Sequence, residues 1–222
     1  MKKRIKTVVR SPQFVLIMGL VVVPLLSFLL ITTGPESPLY TSISRLAWCH
    51  KHWLATFLWA IVVMGVILLL TFRMTVTGPL APRTQRRFLI FQTLNIGLVF
   101  VGCLMFPAKD GLETVRFVHY LHDYLTVAAW VLYAFGLLLY SLLVRRKDKF
   151  LGFLGLCLMA FTFLTSIFFV LNVIDPASYV GASAVSEVYV INSLTVYLLV
   201  MYIAQLYTNK IRDLLPPAPD KP

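Results

Sequence analysis

Phe117-Val-His-Tyr-Leu-His-Asp-Tyr-Leu-Thr-Val-Ala-Ala-Trp-Val-Leu-Tyr-Ala-Phe-Gly-Leu-Leu-Leu-Tyr-Ser-Leu-Leu-Val144 decides the fold. From Tyr124 to Val144 it holds no charged residue, and its length matches the ~20 apolar residues that carry a helix through a ~30 Å hydrocarbon layer. Its leading edge is different in kind. His119, His122 and Asp123 place three titratable groups within five residues, and at helical pitch His119 lies one turn before both of the others. The segment thus reads as a membrane-crossing helix that opens on a cluster able to face one side.

The rest of the chain repeats the apolar pattern. In 222 residues, 59% hydrophobic content and a mean hydropathy of +0.84 exclude an ordinary soluble domain. Six blocks are long enough to span lipid: 13–33, 54–72, 88–107, 120–144, 150–173 and 187–208. None alternates polar and apolar residues as the strands of a membrane barrel do. Helices also satisfy their own backbone amides in lipid. The expected architecture is an all-α polytopic bundle of six transmembrane helices over 13–208, with a basic tail at 1–12 and a second tail at 209–222.

Net charge of +11 raises the question of nucleic acid, and its distribution excludes it. Sixteen of the twenty lysines and arginines fall in the two tails and in the second and fourth connections, where Arg73, Arg83, Arg86, Arg87, Arg145, Arg146, Lys147 and Lys149 stand. Only Arg45, Lys51, Lys109 and Arg116 occupy the other side. The positive-inside bias therefore puts both termini in the cytoplasm and the protein in a cell membrane, multi-pass. Basic charge here is an orientation and headgroup signal.

The chemistry sorts the opposite way. All four histidines, His50, His52, His119 and His122, fall at the non-cytoplasmic ends of the second and fourth blocks, with Glu36, Asp110, Glu113, Asp123, Asp175 and Glu187 on the same side. Neutral imidazoles with a carboxylate make a zinc site that leaves a coordination position for an activated water. The candidate ligands are His50, His119, His122 and Asp123, and the candidate catalytic carboxylates are Asp123 and Glu187. Such a centre at a lipid surface would bind or modify lipid, the first expected partner. Glu187 has a simpler reading too, since an acid in the first turn of a helix is favoured by the macrodipole. Two alternatives remain open: a non-enzymatic accessory or regulatory subunit with a protein partner, and a bis-histidine haem protein.

Local signals complete the reading. Ser11-Pro12 suits a helix start, and Pro24 is expected to kink the first helix. Gly78-Pro79 and Pro82 mark the stretch from Arg73 to Arg87 as a mobile connection, and Gln92 and Asn95 suggest hydrogen bonds between helices. Thr162, Thr165, Ser166, Asn192 and Ser193 are candidates for a polar lining. Cys49, Cys103 and Cys157 are scattered, without a CxxC motif, as packing residues are.

The ISRLAW run from Ile43 to Trp48, Phe106-Pro107, a histidine at the start of the fourth helix (His119 or His122) and Glu187 opening the sixth together resemble a bacterial six-helix membrane family, domain of unknown function 998. That family is distantly similar to the DRAM-type membrane proteins. Val188 stands where the family pattern has arginine. The resemblance implies the six-helix architecture with cytoplasmic ends and no particular reaction.

Overall fold

The structure is a computed structural model that describes residues 11–33, 43, 52–105, 116–174 and 184–214, with side chains described in those ranges except at 103–123, 165, 167–174 and 186. Among the described residues the backbone is helical and contains no strand. Helix α1 spans Pro12–Thr32, α2 Trp53–Thr77, α3 Pro82–Met105, α4 Arg116–Arg145, α5 Lys149–Ile174 and α6 Ala184–Leu214. Four of them, α1, α2, α4 from Tyr124 and α6 from Glu187, are long and apolar enough among the described residues to cross a membrane.

Local chemistry explains where α1 begins and why it deforms. Ser11 caps it by accepting a hydrogen bond from Phe14 N at 3.1 Å, and Pro12 occupies the first helical position, where no amide is required. The five residues Met18–Val22 then form a π-helical turn just before Pro24. Proline cannot donate to the carbonyl four residues back, so the turn ahead of it widens. A Cβ on Gly19 in that turn would stand in ordinary contact with Leu70 on α2 and with Thr195 and Leu199 on α6. The irregularity expected at Pro24 is this widened turn.

Helix ends differ from the apolar limits. The connection expected from Arg73 to Arg87 shrinks to Gly78–Ala81, because α2 continues through Arg73 to Thr77 and α3 starts at Pro82. Hydropathy marks where lipid ends, whereas hydrogen bonds and proline set where a helix ends. Gly78 N donates to Met74 O and Thr75 O, and Gln85 Nε2 donates to Gly78 O at 3.1 Å, so the turn is tied on both sides. A side chain at Gly78 would run into the Tyr140 hydroxyl, which explains the glycine.

Consecutive helices pack side by side from α2 through α6, α6 closes back on α2, and α1 lies outside against α2 and α6. Polar bonds in the interior fix the directions. Thr71 Oγ1 meets Tyr133 OH at 2.7 Å and Tyr140 OH donates to Met74 O at 3.1 Å, so α2 and α4 run parallel. Tyr197 OH donates to Leu137 O, and Gln205 Nε2 donates to Tyr140 OH, so α6 runs with them. The starts of α2, α4 and α6 therefore share one end of the molecule.

The interior is mainly apolar but also holds polar groups, and the outside carries many large apolar side chains. Tyr133, Tyr140, Tyr197, Gln92 and Gln205 are buried, whereas Phe28, Leu54, Leu58, Phe150, Phe153 and Leu164 are exposed. An apolar surface of this extent belongs in hydrocarbon.

Candidate functional site

Histidine and carboxylate candidates gather by helix register at the shared end. His119, His122 and Asp123 lie in the first turns of α4, and Glu187 in the first turn of α6. His52 caps α2, its carbonyl accepting from Thr56 N at 3.0 Å and from Thr56 Oγ1 at 3.1 Å. Counting back along the parallel helices from the Thr71–Tyr133 and Tyr140–Met74 bonds brings the backbone of His119 level with the beginning of α2. The side chains of His119, His122 and Asp123, and all of His50, lie outside the described residues. Among the described residues no three histidine, cysteine or acidic side chains come together.

Glu187 is the candidate whose contacts are described. Its Oε2 accepts a hydrogen bond from Ile43 N at 2.9 Å, across 144 positions of sequence. A charged acceptor strengthens such a bond, and the dipole of α6 favours the carboxylate in that first turn. The first turn of α6 is thereby joined to Ile43. Both readings of Glu187 meet here: the acid lies at the end expected for chemistry and already holds a backbone amide.

Polar residues deeper in the bundle behave unevenly. Gln92 Nε2 donates to Tyr133 O at 3.0 Å, the interhelical bond that its place on α3 suggests. Asn95 is buried with no partner for its Nδ2 in the described structure. Ser193 Oγ donates to Val190 O, one turn back on its own helix, and Asn192 Oδ1 is buried without a partner. Thr162 Oγ1 donates to Leu158 O and Ser166 Oγ to Thr162 O, so these hydroxyls are turned onto α5 itself. They border a cavity of about 60 Å³ beside Trp130 and Leu194 whose walls are otherwise apolar.

The interior also holds a hydroxyl network that the apolar pattern of the sequence does not announce. Thr71 with Tyr133, Ser141 with Tyr197 at 2.7 Å, and Gln205 with Tyr140 at 2.9 Å join α2, α4 and α6. Its one sequence signal is the spacing of Tyr133 and Tyr140, two turns apart within an apolar block, on one face of α4. Chemically these groups hold helices together: the hydroxyls of Tyr133, Tyr140 and Tyr197 are all engaged, and Tyr140 stands closest to the α2–α3 turn. Compared with protein-family profiles, with curated proteins and with solved structures, the chain finds no match.

Proposed function

We propose that the chain is a six-helix integral protein of the cell membrane, with both termini cytoplasmic, whose non-cytoplasmic end binds or modifies lipid. Two segments outside the short list of four apolar helices, α3 and α5, complete the span count in this reading. His50, His119, His122 and Asp123 are the proposed ligands for a metal, zinc being the ion that this donor set suits. Asp123 and Glu187 are the proposed catalytic carboxylates, which would hold or pass a proton if a metal were bound beside them.

The observation that carries the reading is the Ile43–Glu187 hydrogen bond. It links Ile43 with the first turn of α6, at the end where the first turns of α4 hold His119, His122 and Asp123. In this reading imidazoles and acids from the starts of α4 and α6, with His50, would recognise a polar headgroup. A metal there would act as Lewis acid on an ester or amide of that headgroup.

Metal analysis and lipid mass spectrometry on one detergent preparation test this together. Near-stoichiometric zinc is expected in the unsubstituted protein and its loss in His119→Ala/His122→Ala. Folded, metal-free protein with unchanged lipid content would overturn the reading. A Soret band in the same sample would replace zinc with haem.

The same bond also favours a second reading, since Glu187 already spends its carboxylate on a backbone amide. In it the outer end docks a partner protein and the chain is an accessory subunit. A co-purifying polypeptide retained by His119→Ala/His122→Ala identifies that case.

A further inference from the structure

The opposite end of the bundle carries a second feature, on the turn between α4 and α5. Arg145, Arg146, Lys147 and Lys149 are exposed there, four cations in five positions. The turn is tight: Arg146 N donates to Leu143 O at 3.3 Å, and Lys147 N and Asp148 N both donate to Val144 O at 2.8 Å. Gly152 on α5 approaches the backbone of Arg145 so closely that a Cβ there has no room. The cations are thus mounted on a fixed base and not on a loose loop.

Asp148 does not neutralise them. One of its oxygens accepts from Leu151 N at 3.0 Å, capping α5, and the other lies 3.7 Å from Arg212 of α6. Asp213, also exposed, follows Arg212 on α6. Among the described residues Arg145, Arg146, Lys147 and Lys149 make no ion pair.

What lies beside the cations identifies the partner. Phe135, Leu139 and Leu142 are exposed along one stripe of α4, and that stripe runs out at Arg146. On α5 a matching stripe starts at Phe150, which is 68% exposed, and continues through Phe153, Cys157, Phe161 and Leu164. Positive charge thus stands at the end of two exposed apolar stripes, and the one on α5, from Phe150 to Leu164, is ~21 Å long, enough for the ~15 Å of one hydrocarbon leaflet. A soluble anion would need only the charge; an amphiphile uses both.

We propose that the α4–α5 turn is a headgroup seat for an anionic phospholipid, whose chains lie along the exposed stripes of α4 and α5. This rests on the membrane-spanning reading above, which places the turn in the cytoplasmic leaflet, and is independent of the metal site at the other end. Lipid phosphate bonds to the guanidinium of Arg146 and the ammonium of Lys149, and the phenyl rings of Phe150 and Phe153 pack on its chains.

The test reconstitutes the full chain in bilayers of equal phosphatidylcholine and phosphatidylglycerol, re-extracts it in mild detergent and counts retained lipid by native mass spectrometry. Retained phosphatidylglycerol is expected to exceed phosphatidylcholine severalfold, and the excess to fall as salt rises. Arg146→Gln/Lys149→Gln should abolish the excess and bring the two lipids to near-equal retention, since each cation near the surface contributes about 1 kcal/mol, on the order of fivefold. Arg83→Gln/Arg86→Gln, which removes the same charge from α3, should leave it nearly intact. Equal retention of the two lipids at low salt overturns the proposal, as does an equal loss in both variants. Displacement by inorganic phosphate as effective as by phosphatidylglycerol also overturns it, in favour of a site for free anions. Should the seat variant fail to fold, the composition and salt series on the unsubstituted protein decides alone. Failure of the chain to enter bilayers at all would instead sink the membrane reading.

Discussion

Gly152 and Glu187 are the residues at which one atom decides most. A methyl group at Gly152 meets the Arg145 backbone, which has no rotamer by which to withdraw. Gly152→Ala is expected to cost about 1–3 kcal/mol, the range for forcing extra carbon into a packed contact. Gly97→Ala, where nothing lies within 4 Å, should be neutral or slightly stabilising because alanine is the better helix former. Thermal unfolding in detergent compares the two, and equal effects would refute the packing account. Glu187→Ala should cost about 1.5–3 kcal/mol, as for other hydrogen bonds to charged groups, and Glu187→Gln less, since an amide oxygen still accepts. The specific readout is faster hydrogen exchange at the Ile43 amide in the alanine variant.

At the scale of the element, α2, α4 and α6 are joined by hydroxyls and amides, because lipid offers helices no hydrophobic incentive to associate. A double-mutant cycle with Thr71→Ala and Tyr133→Phe should give a coupling of about 0.6 kcal/mol, typical of bonds between helices in membranes. The value is modest because Thr71 Oγ1 also bonds Ile67 O on its own helix. Coupling near zero would reduce the pair to a packing contact. Apolar blocks located the helices, and Gln92, a polar residue in an apolar face, announced the bond it makes. The ends of α2 and α3 could not be read, since Arg73 and Arg87 look like loop by polarity yet keep helical hydrogen bonding outside the apolar zone. Tyr133, Tyr140 and Tyr197 escaped because tyrosine in an apolar run reads as filler or interfacial anchor, and only the facing helix supplies its partner. Of the outer site, Glu187 was legible as an acid at a helix start. That it would hold Ile43 N was not, because a contact across 144 positions leaves no trace in local pattern.

For the whole molecule, the cations that surround the α2–α3 and α4–α5 turns and the end of α6 define one face, and the starts of α2, α4 and α6 the other. Reporter fusions at the amino and carboxy termini are both expected to report the cytoplasm, and opposite locations would refute the even number of crossings. Trp59 Nε1 donates to Ser27 Oγ at 3.0 Å, the polar link that pins α1 to α2. That bond lies downstream of the widened turn Met18–Val22. A π turn inserts one residue into the spiral, which rotates everything after it by about 100° relative to an uninterrupted α-helix. The insertion therefore acts as a phase correction: excising Leu20 would swing Ser27 off the indole and present a different flank of α1, so the outermost helix owes its docking angle to one surplus residue.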